Sequence, residues 1–526
     1  MGGVIKSAAI LSLAGIITKI MGAVYRIPFA RMVGDEGLGL YQMAYPFYTI
    51  VLAISTAGVP VAISKLVAEH EGLGDKGGAI RIFWVALGFL FFTGLISSFC
   101  LYVYADELAL KVLGEPRALL PIRSIAPAIF FTSIMSAFRG FFQGQQNMIP
   151  TALSQILEQT VRIVTVFWAA LFLMPLGIEI TAAGATFGAA TGGLAGLLVL
   201  VMIFARQTDG RQSVSRWNTK SSLARILFKV LALSIPISLG GLIFPLMQML
   251  DISLVPMGLQ KGGHTVAEAT SLYGQLSGMA GSIINLPTIV TIALSASLVP
   301  AVSSLARKRK LEVLANLTSA ALKLNLIITL PAAMGLMILA EPISGLLFAL
   351  PEAGEPLAWL AGGIIFVGLY HVSTGILQGL GQTLLPVIAL LTGSGVKVMI
   401  TYYLTPLPQW GIKGAALATV LGFMVAAFIN LLFLKYNVAV RIQWWKDIFF
   451  AALSVFLMAV SVVTGYAVIE QYFSADFTTL LTIPLGAFVY LVFIFLFGLL
   501  KKREIAILLG DDNHWNNVLD KIPFLR

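Results

Sequence analysis

Apolar runs of about 20 residues recur from one end of the 526-residue chain to the other, separated by short polar connections. Each run is long enough to cross a hydrocarbon layer about 30 Å thick. A chain patterned this way folds as an all-α polytopic membrane protein. The spans fall at roughly 4–26, 38–66, 80–104, 118–142, 150–174, 182–206, 225–250, 271–300, 314–340, 357–379, 384–404, 411–434, 447–469 and 478–500, about 14 in all. Hydrophobic residues make up 58% of the sequence and charged residues 11%, which excludes a soluble globular core. Lys19 interrupts the first run and the next span follows closely, so the first span reads as a retained helix rather than a cleaved signal.

The net charge of +10 is distributed by loop. Arg206, Arg211, Arg216, Lys220 and Arg225 crowd one connection, and Arg307, Lys308, Arg309 and Lys310 another. Lys435, Arg441 and Lys446 mark a third, and Lys501, Lys502 and Arg503 follow the last span. The intervening loops carry Asp106, Glu107 and Glu115, then Glu341, Glu352 and Glu355, then Glu470 and Asp476. This alternation follows the positive-inside rule and expects both termini in the cytoplasm. It accounts for the basic balance without nucleic acid and brings cations within reach of anionic lipid. The single cysteine, Cys100, excludes a disulfide framework and a multi-cysteine metal site, and no cofactor is expected.

An internal repeat is visible. "GVPVAISKL" at 58–66 is echoed by "LVPAVSSLA" at 298–306, and "LGLYQMAY" at 38–45 by "TSLYGQLS" at 270–277. "FFQGQQNMIP" at 141–150 is echoed by "ILQGLGQTLLP" at 376–386, and "GIEITAAGATFG" at 177–188 by "GIKGAALATVLG" at 411–422. The common order and similar offsets imply two homologous six-helix lobes in one orientation, with two additional C-terminal helices. The expected divisions are an N-terminal lobe at 1–210, a C-terminal lobe at 211–440, the added pair at 441–505 and a cytoplasmic tail at 506–526. Parallel repeats of this kind occur in transporters that bind substrate between their halves.

Ionisable side chains inside the spans cost about 2.5–3.5 kcal/mol each on insertion scales and mark functional positions. Pro150 suits the first turn of the fifth span. Glu158 then lies about 12 Å along that helix and Arg162 about 18 Å, four residues apart and able to pair. In the second repeat Pro386 opens the eleventh span and Lys397 lies about 16 Å along it, the counterpart of Arg162. Lys19 and Arg26 share a face of the first span. Arg139, Lys323, His371 and Gln378 are secondary candidates; Arg139 and Lys323, with Lys229 and Arg31, are also explained by snorkelling near helix ends. The last two spans carry no charge between Ile448 and Ile469 or between Phe477 and Leu500. Pro236, Pro245 and the Gly240–Gly241 pair make the seventh span a candidate hinge.

"RGFFQGQQNMIPTALSQILEQTVRI" and the opening "KSAAILSLAGIITKIMGAVYRIPFARMVGDEGLGLYQMAYPFY" resemble the stage V sporulation protein B and YtgP group of the multidrug/oligosaccharidyl-lipid/polysaccharide exporter superfamily. The resemblance covers nearly the whole chain. It implies a MurJ-like lipid flippase that moves lipid II, an undecaprenyl-diphosphate-linked glycan, across the bacterial plasma membrane. It also implies two lobes around a cationic cavity, a groove for the lipid tail along the last two helices, and partners in membrane lipids and the cell-wall synthesis machinery. Under it Lys19 and Arg26 belong to the basic stretch of the first helix that the family directs into the cavity, although Lys19 stands where the Gram-negative branch is expected to carry arginine.

The residues suit such a cargo. Lys19, Arg26, Arg162 and Lys397 can hold a diphosphate, arginine with forked contacts and lysine as a point charge. Ser154, Gln155 and Gln159 can meet sugar hydroxyls, and Glu158 can hold Arg162 before cargo arrives. A different lipid-linked glycan, for capsule or spore coat, is the nearest alternative. A multidrug or cation antiporter needs an embedded acid to bind its cation, and the first span has none. A membrane glycosyltransferase or acyltransferase needs a carboxylate pair or a partnered catalytic histidine, and His371 has no acidic neighbour in sequence.

Overall fold

A computed structural model describes residues 2–56, 58–207, 222–438 and 444–499. Its helices in chain order begin with α1 (Gly2–Val24), α2 (Arg26–Thr56), α3 (Val59–Gly72), α4 (Lys76–Val103), α5 (Ala105–Glu107) and α6 (Leu119–Gly144). Next come α7 (Ile149–Phe172), α8 (Ile178–Gln207), α9 (Leu223–Lys261), α10 (Val266–Tyr273), α11 (Gly281–Arg307) and α12 (Leu311–Ile338). Last are α13 (Ala340–Phe348), α14 (Gly354–Ala361), α15 (Gly363–Gly379), α16 (Leu384–Leu404), α17 (Gly411–Asn437), α18 (Trp444–Ile469) and α19 (Ala475–Leu496). Among the described residues there is no strand. The expected basic positions Arg211, Arg216, Lys220, Arg441 and Lys501–Arg503, and the tail 506–526, lie outside the described residues.

Ten stretches among the described residues are long and apolar enough to cross a membrane, and a pair bent by 45° at Gly362 makes an eleventh. One of the ten, Leu13–Gly72, holds the first two expected spans. The two expected spans outside this set correspond to α7, which carries Glu158 and Arg162, and α9. Every expected span thus has a helix. The second, expected as continuous over 38–66, is broken after Thr56, where Gly58 adopts φ 67° before Val59–Pro60 restart the chain as α3. α2 is itself kinked at Gly34, whose φ of 73° only glycine adopts readily. α9 runs through Pro236 and Pro245 without a break.

The chain divides into two compact units, 1–278 and 279–526. In the first, Ile63, Val67, Ile82, Phe83, Phe141 and Phe142 bury a common core, closed by an edge-on contact of Phe83 with Phe138 and a tilted one with Phe141. Ile226 and Val230 of α9 join that core, so α9 packs with the first unit although it opens the second sequence repeat. In the second unit Leu298, Val302, Leu317, Ile376 and Leu377 form the core. These are the same positions displaced by a constant interval: Ile63 and Leu298, Val67 and Val302, Ile82 and Leu317, Phe141 and Ile376, Phe142 and Leu377.

The backbone repeats at the same interval. A β-carbon on Gly140 would meet the Pro60 carbonyl at 2.6 Å, and one on Gly375 the Ser295 carbonyl at 2.5 Å. Gly144 approaches the Ser64 carbonyl and Gly379 the Val299 carbonyl, each at 2.8 Å by the same measure. Small residues at these crossings let helix backbones approach closely, which is how helices associate where lipid offers no hydrophobic drive between them. Turns with positive φ repeat as well: Gly74 and Arg309, Gly114 and Ala349, Gln146 and Gly381, Gly177 and Gly411.

Candidate functional site

α7 begins with Pro150 in its first turn, as expected, and ends before Gly177, whose φ is 121°. Thr151, Ser154, Gln155, Glu158, Gln159 and Arg162 recur at three- and four-residue spacing and make one polar stripe along the helix. The backbone of the stripe residues lies against α8 through glycines one turn apart. A β-carbon on Gly192 would sit 2.5 Å from the Glu158 carbonyl and 3.2 Å from Cβ of Arg162. One on Gly196 would sit 3.1 Å from the Ser154 carbonyl. The glycines therefore fix the depth and rotation of the helix that carries the stripe.

The stripe meets Arg139 from α6. Arg139 donates to a Glu158 carboxylate oxygen at 2.9 Å and, through Nε, to the Ser154 hydroxyl at 3.0 Å. Arg162 donates to the other Glu158 oxygen at 2.8 Å. The three charged side chains are 15–17% exposed, so one carboxylate is shared by two nearly buried guanidiniums. The cluster keeps one positive charge in excess. Removing one member of a buried ion cluster typically costs about 3–5 kcal/mol, because it strands an uncompensated charge. Arg162 Nε and the Gln155 side-chain oxygen are buried without a hydrogen-bond partner among the described residues. Buried polar groups are nearly always satisfied, so these two are unspent hydrogen-bonding capacity beside the cluster.

The α2 face adds tyrosines. The Tyr25 and Tyr41 hydroxyls lie 2.6 Å apart, and Tyr41 donates to the Tyr45 hydroxyl at 2.8 Å. The Tyr48 hydroxyl shares a 3.3 Å hydrogen bond with Thr132. Arg162 lies close enough to act electrostatically on Tyr45 and Tyr48, and Arg26 on Tyr25, Tyr41 and Tyr45. Tyr45 thus lies within electrostatic reach of both Arg26 and Arg162. Sequence reasoning missed the tyrosines. Their signal was the spacing of Tyr41, Tyr45 and Tyr48 on one helix face, in a segment read for its apolarity, its repeat and its family resemblance but not for its hydroxyls.

The other expected residues fall as follows. Lys19 is exposed on α1 and Arg26 half-buried at the start of α2. Helical hydrogen bonds from Tyr25 to Met21 and from Phe29 to Tyr25 carry the helical path between them. Gln159 is buried, and its amide would lie 3.3 Å from a β-carbon on Gly22 of α1. In the second unit Lys397 is 5% exposed on α16. A β-carbon on Gly422 would meet the Gly393 carbonyl and Cβ of Lys397, each at 2.9 Å. Gly192 makes the same kind of contact with Glu158 and Arg162, although the sequence repeat pairs Gly422 with Gly188, so the close crossing recurs one helical turn out of register. Lys323, expected as an embedded or snorkelling cation, is ion-paired to Asp447 of α18 at 3.1 Å. His371 shares a 3.0 Å hydrogen bond with Thr291, and its carbonyl accepts from Ser295 at 2.6 Å. Gln378 is exposed in the last turn of α15.

Residues 4–306 match the family model described as polysaccharide biosynthesis protein, and residues 236–403 match the model described as MatE. Stage V sporulation protein B of Bacillus subtilis (strain 168) is 30% identical over 95% of this chain and 96% of its own. Lipid II flippase MurJ of the same organism is 28% identical over the same shares of both chains. The solved structure of lipid II flippase MurJ in an inward closed conformation superposes with a TM-score of 0.66 at 17% identity, covering 93% of this chain and 98% of that one. The fold is that of these transporters, and the chain is a multi-pass membrane transporter rather than an enzyme. Through the match over 4–306 and the full-length relatives, the chain belongs to the polysaccharide biosynthesis protein family, in the group that holds stage V sporulation protein B and the MurJ flippases.

Proposed function

We propose that the chain flips an undecaprenyl-diphosphate-linked glycan, lipid II, from the inner to the outer leaflet of a bacterial plasma membrane, with both termini in the cytoplasm. The observation that carries the reading is the Arg139–Glu158–Arg162 cluster, with its net positive charge and its unsatisfied neighbours. A glycan diphosphate is a polyanion that hydrocarbon excludes. Two guanidiniums held by one carboxylate are preorganised to accept it: Glu158 keeps both arginines in place while phosphate oxygens meet the N–H groups it leaves open, Arg162 Nε among them. Gln155 and the tyrosine hydroxyls offer the amide and hydroxyl chemistry that sugars need. Arg26 supplies further positive charge in the first unit, and Lys397 is the repeat counterpart of Arg162 in the second. The polyprenyl tail stays in lipid beside α18 and α19, which lack charge from Ile448 to Ile469 and from Phe477 to Leu496. The relatives named as lipid II flippases support the cargo.

The decisive measurement is exposure of lipid II at the outer leaflet in cells that depend on this protein. Depletion lowers exposure, and the wild-type gene restores it. R139E, R162E and K397E abolish rescue while membrane insertion stays normal, and R162Q lowers transport at least tenfold. Unchanged exposure on depletion, with no second flippase present, overturns the cargo. The strong likeness to a sporulation protein favours one second reading, a different lipid-linked glycan on the same cationic site. Rescue of that glycan's export with lipid II exposure unaffected would select it.

A further inference from the structure

A small pocket lies away from the cluster, where α3 ends and α4 and α9 begin. Its volume is about 120 Å³, below the range of sites that enclose a whole organic ligand and suited to a tetrahedral oxyanion. The floor is Leu66, Ile82 and Ile226, all buried in the core of the first unit. Arg81, Arg225 and Lys229 line the walls. Arg225 and Lys229 are one turn apart on α9, both exposed, and among the described residues neither side chain makes an ion pair. Like charges at this spacing repel, so the fold carries an electrostatic cost there.

Two helix N-termini reinforce the same sign. Gly78, which lines the pocket, is in the first turn of the 28-residue α4, and Arg225 is in the first turn of the 39-residue α9. Of the two nearby acids, Asp75 is already engaged. Asp75 accepts from the Gly78 amide at 2.8 Å and pairs with His70 at 2.8 Å, and these contacts hold its carboxyl below the usual range. Glu69 also lines the pocket, exposed and 4.0 Å from Lys65, so three cations stand against one carboxylate and the lining stays positive. Apolar side chains flank the opening: Trp84 is 50% exposed one turn from Arg81, and Leu223 and Phe228 on α9 are 52% and 72% exposed. Cations beside a tryptophan and lipid-facing apolar side chains belong at a bilayer interface.

We infer that this pocket binds the phosphate of an anionic phospholipid headgroup, holding the foot of α9 against α3 and α4. The site is separate from the cargo cluster and does not depend on the cargo's identity. The test uses delipidated full-length protein in neutral detergent, titrated with phosphatidylglycerol, with phosphatidylcholine or with millimolar inorganic phosphate, and read by native mass spectrometry and thermal unfolding. Wild-type protein retains phosphatidylglycerol over phosphatidylcholine, and R225Q/K229Q weakens that retention about tenfold or more with helical content unchanged. The swap R225K/K229R keeps most of it. Stabilisation by inorganic phosphate alone, lost in R225Q/K229Q, would overturn the lipid source in favour of a soluble phosphate. Equal phosphatidylglycerol retention by wild type and R225Q/K229Q would overturn the site.

Discussion

At the residue scale the repeat explains backbone strain that no single half accounts for. Gln146, Arg309 and Ala349 have φ of 59°, 52° and 56°, in the left-handed region that costs a side-chain-bearing residue about 1–2 kcal/mol. Each stands opposite a glycine in the other copy: Gly381, Gly74 and Gly114. The turn demands the conformation and only one copy has the residue that adopts it freely. All three strained residues are exposed, so no packing is lost on truncation. Gln146→Gly, Arg309→Gly and Ala349→Gly should each stabilise by about 0.5–1 kcal/mol, after the larger entropy loss of glycine on folding is subtracted. The reverse change, Gly381→Ala, should destabilise. Thermal unfolding of the purified variants checks both directions, and a lower midpoint for all three glycine variants would contradict the assignment.

At the element scale, the placement of the charged cluster rests on the crossing of α7 with α8, and that of Lys397 on the crossing of α16 with α17. Gly192→Ala drives a β-carbon to 2.5 Å from a backbone carbonyl that cannot yield without moving α7, and Gly422→Ala does the same to Gly393 and Lys397 at 2.9 Å. Overpacking of this kind costs about 1–3 kcal/mol. It should lower transport more than it lowers expression, because the displaced helix carries Glu158 and Arg162 or Lys397. A matched change at Gly15 or Gly88, where nothing lies within 4 Å, should leave both unaltered. Much of the cluster was legible: the four-residue spacing of Glu158 and Arg162 follows from helix geometry, and Pro150 fixes where the helix starts. The partner from α6 was not. Arg139 lies late in its own span, where snorkelling accounts for an arginine equally well, and only the packing of α6 beside α7 turns it onto Glu158. Asp447 was hidden from Lys323 for the same reason, since a contact between distant helices leaves no periodicity in either.

At the scale of the whole molecule the repeat was legible because it is written four times in the same order, and the core positions of the two units then matched pair by pair. The packing boundary was not legible. α9 begins the second copy by sequence, yet its Ile226 and Val230 complete the first unit's core, and apolarity alone does not say which core an apolar helix joins. Orientation is the remaining global property, and loop charge alone argues for it. The basic Arg307–Lys310 turn and the acidic segment around Glu470 should lie on opposite sides of the bilayer. Cys100 is the chain's one cysteine, so Cys100→Ala gives a silent background for labelling. Lys308 and Glu470 are both exposed, and a thiol at either is reachable by reagent. In whole cells a membrane-impermeant maleimide should label C100A/E470C, and should label C100A/K308C only after permeabilisation. The opposite pattern would invert the chain in the membrane and reverse the direction of flipping proposed for it, because a cargo made in the cytoplasm must meet the open face of the transporter on the side where basic loops collect.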